Sequence, residues 1–120
     1  MKAIENIKTR NSHSKLSEPH PNDKEMKLVY DSALRAPDHA GLKPSHFIEV
    51  TGEGLKKLSK VFEKFVLDSK DKSKISKLEK YKKAPYRAPM VIIIVCDLKH
   101  HSKVPEIEQI MSTAAATQNM

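Results

Sequence analysis

Arginine beside serine in a short polar turn is a donor set suited to phosphate. Arg10, Asn11 and Ser12 open such a turn, which continues through His13 and Ser14. A guanidinium offers a planar fork of donors that matches phosphate oxygens, and a hydroxyl adds one more donor. A second set flanks Pro37, with Arg35 before it and His39 in the loop after it. Together the two sets could grip the phosphate and a remaining polar edge of one ligand. On spacing alone an ordinary role stays open, because arginines near helix ends also satisfy the last carbonyls.

Other chemistries find less support. The chain has six histidines, but none stands in an H-E-x-x-H pattern or a Cys/His knuckle, so no metal site is expected. Cys96 is the sole cysteine and closes an apolar run. It reads as a small core side chain rather than a nucleophile. Ser12 and Ser14 beside His13 lack the third orienting group and the nucleophile elbow of a hydrolase. With three glycines the chain has no Walker-type phosphate loop.

These side chains need elements to hold them. A first helix is expected over Lys2 to Thr9, with Ala3, Ile4 and Ile7 turned inward. The stretch through Pro19 and Pro21 is extended, because each proline disfavours helix before it. Asn22 stands three residues before Glu25, which is the spacing of a capping box. Met26, Val29, Tyr30 and Ala33 then make one helical face, and Pro37 sets the stop near Arg35. Phe47-Ile48-Glu49-Val50 alternates as a half-buried strand, followed by a turn at Thr51 to Gly54.

Leu55, Leu58, Phe62 and Phe65 follow helical spacing, with Val61 and Val66 beside them. Ile75, Leu78 and Tyr81 repeat three apart after a polar break. Met90 to Cys96 is a continuous, mostly β-branched run, expected as a strand buried on both faces. A last helix follows Pro105, with Glu106 and Glu108 suiting its positive end. Its inward face is expected to be Ile107, Ile110, Met111 and Ala114, and the small residues from Ser112 to Thr117 permit close packing. Two strands and a core-type helix leave such a strand short of sheet and cover, so the chain is expected to be the N-terminal part of a larger domain.

Composition limits the function classes. The chain has 120 residues, no internal repeat, and a hydrophobic fraction of 38%. No apolar run approaches the roughly 18–20 residues of a membrane span, and the first residues lack a secretory core. A soluble protein of the reducing cytoplasm is expected, without a membrane partner. The net charge is +7, and all of it falls between Lys56 and Lys83, where eleven lysines meet four carboxylates. Lysine stems cover apolar surface while their heads stay hydrated, so a solvated face explains the segment. The alternative is a non-enzymatic basic module that binds anionic partners through Lys56–Lys83. With no arginine there and only scattered aromatics, nucleic acid is a poor match.

Four stretches in order carry a family resemblance. They are R-N-S at Arg10 to Ser12, A-L-R-A-P-D-H at Ala33 to His39, Y-R-A-P-M-V-I-I-I-V at Tyr86 to Val95, and K-V-P-E-I-E-Q-I-M-S at Lys103 to Ser112. The sequence resembles the nitroreductase family of flavoproteins along its whole length, most closely the small bacterial NAD(P)H nitroreductases of the YdjA-like subgroup. The resemblance implies an α+β fold with helices packed around a central mixed β-sheet. It implies a homodimer with FMN at the subunit interface, and NAD(P)H as co-substrate. In the implied cycle NAD(P)H reduces the flavin, which reduces a nitroaromatic, quinone or similar acceptor. The flavin carries that chemistry, so no catalytic side chain is assigned.

By position, Arg10, Asn11 and Ser12 match the first FMN contact of the subgroup. Arg35 and His39 match the second, which reaches the flavin bound with the other subunit. Asn11 stands where the subgroup usually has a second arginine, and Ser45 where it usually has an aromatic. Residues 1–120 would then form the N-terminal part of one nitroreductase-like domain, ending within its central helix. Such a chain by itself is expected to be poorly stable and to hold FMN weakly, or to be an inactive relative.

Overall fold

A computed structural model describes residues 2–120. Eight regular elements follow one another: α1 (Ala3–Thr9), α2 (Asp23–Ala33), β1 (Ser45–Thr51), α3 (Glu53–Asp68), α4 (Lys72–Ile75), α5 (Leu78–Lys83), β2 (Met90–Cys96) and α6 (Glu106–Asn119). Short 3-10 turns cover His39–Gly41 and Ala84–Arg87. The fold class is α+β, as expected. β1 and β2 pair antiparallel, from Ser45 opposite Cys96 to Thr51 opposite Met90. Among the described residues this two-stranded ribbon is the whole sheet, so the mixed arrangement has no parallel member here.

Local chemistry sets the start of α2. The Asn22 side chain accepts from the N–H groups of Lys24 and Glu25, and Glu25 Oε2 accepts from the Asn22 N–H at 2.8 Å. This reciprocal capping box satisfies N–H groups that have no partner within the helix. Met26 and Ala33 are buried on the inward face of α2, with Val29 and Tyr30 half-buried beside them. The expected turn after β1 is shorter than the sequence implied. Gly52 takes a left-handed φ of 49°, and α3 starts at the next residue.

α3 buries Leu55, Ser59 and Val66 against α5 and the 3-10 turn that follows it. Phe65, expected inside, is exposed, and Lys74 Nζ lies 5.2 Å from its ring centre. The expected helix through Ile75, Leu78 and Tyr81 is broken at Ser76–Lys77 into α4 and α5. Asp71 caps α4 by accepting from Ser73 N at 2.8 Å.

Three further expectations are corrected. Ile4 and Ile7 are each 73% exposed, and no residue of α1 is buried. β2 is not closed over on both faces, since Ile94 and Val95 are exposed. It has one strand neighbour among the described residues, so its run of β-branched side chains is only partly covered.

The third correction concerns α6. Ile107, Ile110 and Met111 face outward, and the buried side is Gln109, Ser112, Thr113 and Ala116. Small and hydrogen-bonded side chains make this face the inner one. They let α2 and both strands approach the helix closely, and the polar groups find partners. Ser45 Oγ donates to Thr113 Oγ1 at 3.1 Å. Gln109, only 2% exposed, is bonded to both backbone groups of Lys99. Cys96 is half-buried, and its Sγ lies 3.7 Å from the carbonyl of Gln109.

Candidate cofactor site

Arg10 and Ser12 come together where α1 ends. Arg10 Nη1 donates to Ser12 Oγ at 3.0 Å. Asn11 Nδ2 donates back to the Thr9 carbonyl at 3.3 Å, which folds the turn onto the helix end. All three side chains are exposed. Leu16 N, which donates to the Arg87 carbonyl at 2.7 Å, ties the following segment to the connector before β2.

The second set is built on the end of α2. Arg35 is exposed, and its backbone N–H closes a turn onto the Ser32 carbonyl at 3.1 Å. His39 opens a tight loop whose backbone is unusual. Ala40, Gly41 and Lys43 all take left-handed φ values, of 61°, 62° and 49°. For residues with a Cβ this region costs roughly 1–2 kcal/mol each. Asp38 holds the loop in that shape, since its carboxylate accepts from Leu42 N at 3.1 Å and Lys43 N at 2.8 Å. The ammonium of Lys99 adds a bond to the Leu42 carbonyl at 2.6 Å.

His39 itself meets Glu108 of α6, with Nδ1 and Oε2 2.7 Å apart. The pair lines a cavity of about 290 Å³, together with Pro37, Met111, Ser112 and Ala115. Glu108 and Asp38 are the residues that sequence reasoning missed. Glu108 looked like an acid suiting the helix dipole, and Asp38 like an ordinary loop residue. Spacing could have drawn attention to Asp38, since short acids commonly bond backbone N–H groups a few positions on.

No hydrogen bond joins the Arg10–Ser12 turn to Arg35 or His39 among the described residues. The two sets are therefore not hydrogen-bonded into one cluster within the chain. Their chemistry suits a phosphorylated ligand with additional polar edges, since it comprises two guanidiniums, a hydroxyl, an amide and an imidazole.

A family model described as "Nitroreductase family" matches residues 7–120. The chain belongs to the nitroreductase family. Its sequence is 35% identical over 120 residues to YdjA of Escherichia coli strain K12, which carries an NAD(P)H nitroreductase name. The alignment takes in all of this chain and 64% of that relative. Among solved structures, a nitroreductase-like family protein from Bacillus cereus superposes with a TM-score of 0.79 at 22% identity. It covers 99% of this chain and 62% of its own. A BluB-like flavoprotein from Clostridium difficile 630 gives 0.70 at 17% identity, covering 99% of this chain and 67% of its own. These likenesses establish a nitroreductase-like fold, of which the chain spans about two thirds.

Other parts of this nitroreductase-family chain lie apart from the two clusters. Tyr30 Oη donates to Glu49 Oε1 at 2.6 Å, and its ring centre lies 5.7 Å from that of Phe47. Burial, then the bond and the charge of Glu49, push the phenol up to about 12. In the lysine-rich segment, Lys56 pairs with Glu53, Lys74 with Asp71, and Lys82 with Glu63 and Glu79. The bond to Glu63 and its charge raise Lys82 above the ordinary lysine value, with Glu79 adding to the effect. No helix among the described residues is long and apolar enough to cross a membrane.

Proposed function

We propose that the chain is the N-terminal part of an FMN-dependent NAD(P)H oxidoreductase of nitroreductase type, reducing a nitroaromatic, quinone or similar acceptor. One observation carries the proposal. In a chain of this family, the five residues that the resemblance assigns to flavin contact, Arg10, Asn11, Ser12, Arg35 and His39, are all exposed donors or acceptors. When bound, FMN supplies the chemistry, taking hydride from NAD(P)H and passing it on. The protein's share is binding and orientation. Arg10 and Ser12 take the phosphate and ribityl oxygens, and Asn11 shapes their turn. Arg35 and His39 take the other edge of the flavin.

A homodimer in which each flavin draws one set from each subunit accounts for two donor sets that share no hydrogen bond. It also accounts for the outward row of Ile107, Ile110 and Met111 on α6, which offers a second copy an apolar surface. The single, half-buried thiol of Cys96 suits the reducing cytoplasm.

The test is flavin retention. FMN is added to the chain, and to the chain joined to the C-terminal remainder of the YdjA relative, and each is then desalted. The joined protein is expected to stay yellow and the chain alone to hold flavin weakly. Arg10→Ala and Arg35→Ala are expected to lose flavin while remaining dimeric. A colourless joined protein, or full retention in both variants, contradicts the proposal.

A further inference from the structure

Building on the flavin reading above, we infer that Glu108 is a positioning residue that turns His39 into a hydrogen-bond acceptor for the ligand. His39 Nε2 takes a hydroxyl or N–H of the flavin, and the phosphate falls to Arg10 and Ser12. The geometry starts from the 2.7 Å separation between His39 Nδ1 and Glu108 Oε2. That is the length of a charge-assisted hydrogen bond. Glu108 lies in the first turn of α6, where the helix dipole favours its anion. An ionised carboxylate only accepts, so the hydrogen between the two atoms belongs to Nδ1. In its neutral form the imidazole carries that one ring hydrogen, which leaves Nε2 with its lone pair, so the acceptor role belongs to the neutral ring.

Both ends of the pair are held in place. The backbone of His39 is set by the Asp38 carboxylate, which accepts from Leu42 N and Lys43 N. Glu108 precedes Gln109, whose buried side-chain amide is bonded twice to Lys99. The bond to Glu108 therefore favours the Nδ1–H tautomer of the neutral ring, beside the cavity walled by Pro37, Met111 and Ala115. A carboxylate beside the ring also makes this a poor seat for phosphate, because two anions would stand close together. The two clusters thus divide the work: the Arg10–Ser12 turn for the anionic end, and the Arg35–His39 set, with its oriented imidazole, for the other edge of the flavin.

Nitrogen NMR of the His39 ring and flavin titrations test this together. In the chain itself, His39 is expected in the Nδ1–H tautomer, and likewise in Glu108→Gln, whose amide oxygen still accepts. In Glu108→Ala the ring is expected to revert to the Nε2–H form that free histidine favours. In the chain joined to the YdjA remainder, Glu108→Ala is expected to weaken FMN and riboflavin equally, by about fivefold, the loss of one oriented hydrogen bond. Glu108→Gln restores most of that affinity, and Arg10→Ala weakens FMN alone. An unchanged tautomer in Glu108→Ala overturns the inference, and so does a loss confined to FMN, which would make His39 a phosphate ligand. If His39→Ala leaves both flavin affinities intact while the tautomer result holds, the flavin reading of His39 fails instead.

Discussion

The side-chain amide of Gln109 closes both backbone groups of Lys99, donating to its carbonyl at 2.8 Å and accepting from its N–H at 2.9 Å. One buried side chain thereby fastens the loop after β2 to α6, the helix that carries Glu108. Gln109→Ala is expected to destabilise the protein by about 2–4 kcal/mol, since it removes two hydrogen bonds and leaves a cavity where a fully buried side chain stood. Urea denaturation measures this. A loss below about 0.5 kcal/mol, the range of ordinary surface substitutions, contradicts the assignment.

Asp38 has a comparable part in the His39 loop, where three consecutive or near-consecutive residues are left-handed. Asp38→Ala removes the acceptor of two N–H groups, so a cost of about 1–3 kcal/mol is expected. The same substitution frees the loop, and faster amide exchange at Leu42 and Lys43 is the local signature. Unchanged exchange there argues that the strained loop is held by something else.

The capping box of α2 makes a local prediction. Asn22→Ala is expected to cost about 1 kcal/mol, and Asn22→Asp much less, because aspartate keeps the acceptor. Thermal unfolding of the two variants, compared with Glu25→Ala, checks it. Equal behaviour of the alanine and aspartate variants goes against the cap.

Tyr30 gives the protein an alkaline limit. Its phenol is pushed from 10.0 up to about 12 by burial, with Glu49 adding to the shift. The folded chain therefore holds this proton more tightly than the unfolded chain does. The contribution to stability is complete below pH 10, and is lost as pH rises from 10 to about 12. Ultraviolet titration of phenolate should show one tyrosine lagging. Glu49→Gln should bring it part of the way back, since burial remains. Tyr30→Phe should flatten stability over that window.

Local features of this fold were legible in the sequence, and the long-range ones were not. The Asn22–Glu25 cap, the stop before Pro37 and both strands rest on neighbouring residues, and spacing reveals them. In α6 the apolar spacing points to Ile107, Ile110 and Met111 as the core face, whereas the structure turns them outward. Its true inner face is polar, and its burial depends on Lys99, Ser45 and close-packed backbone that no periodicity encodes. The same reasoning explains Ile4 and Ile7 on α1, whose amphipathic pattern has nothing to bury it among the described residues. In the site, Arg10 with Ser12 was legible as a turn. His39 with Glu108 was not, since 69 positions separate them and only the fold brings them together.

The claim that the chain belongs to a flavin-dependent oxidoreductase is most directly tested by anaerobic reduction. FMN is loaded onto the chain joined to the YdjA remainder, excess flavin is removed, and NADH or NADPH is added without oxygen. The visible flavin band is expected to bleach, and to return when a quinone or nitroaromatic acceptor is supplied. A band that persists in the presence of both nicotinamides, in protein that retains stoichiometric FMN, would contradict it.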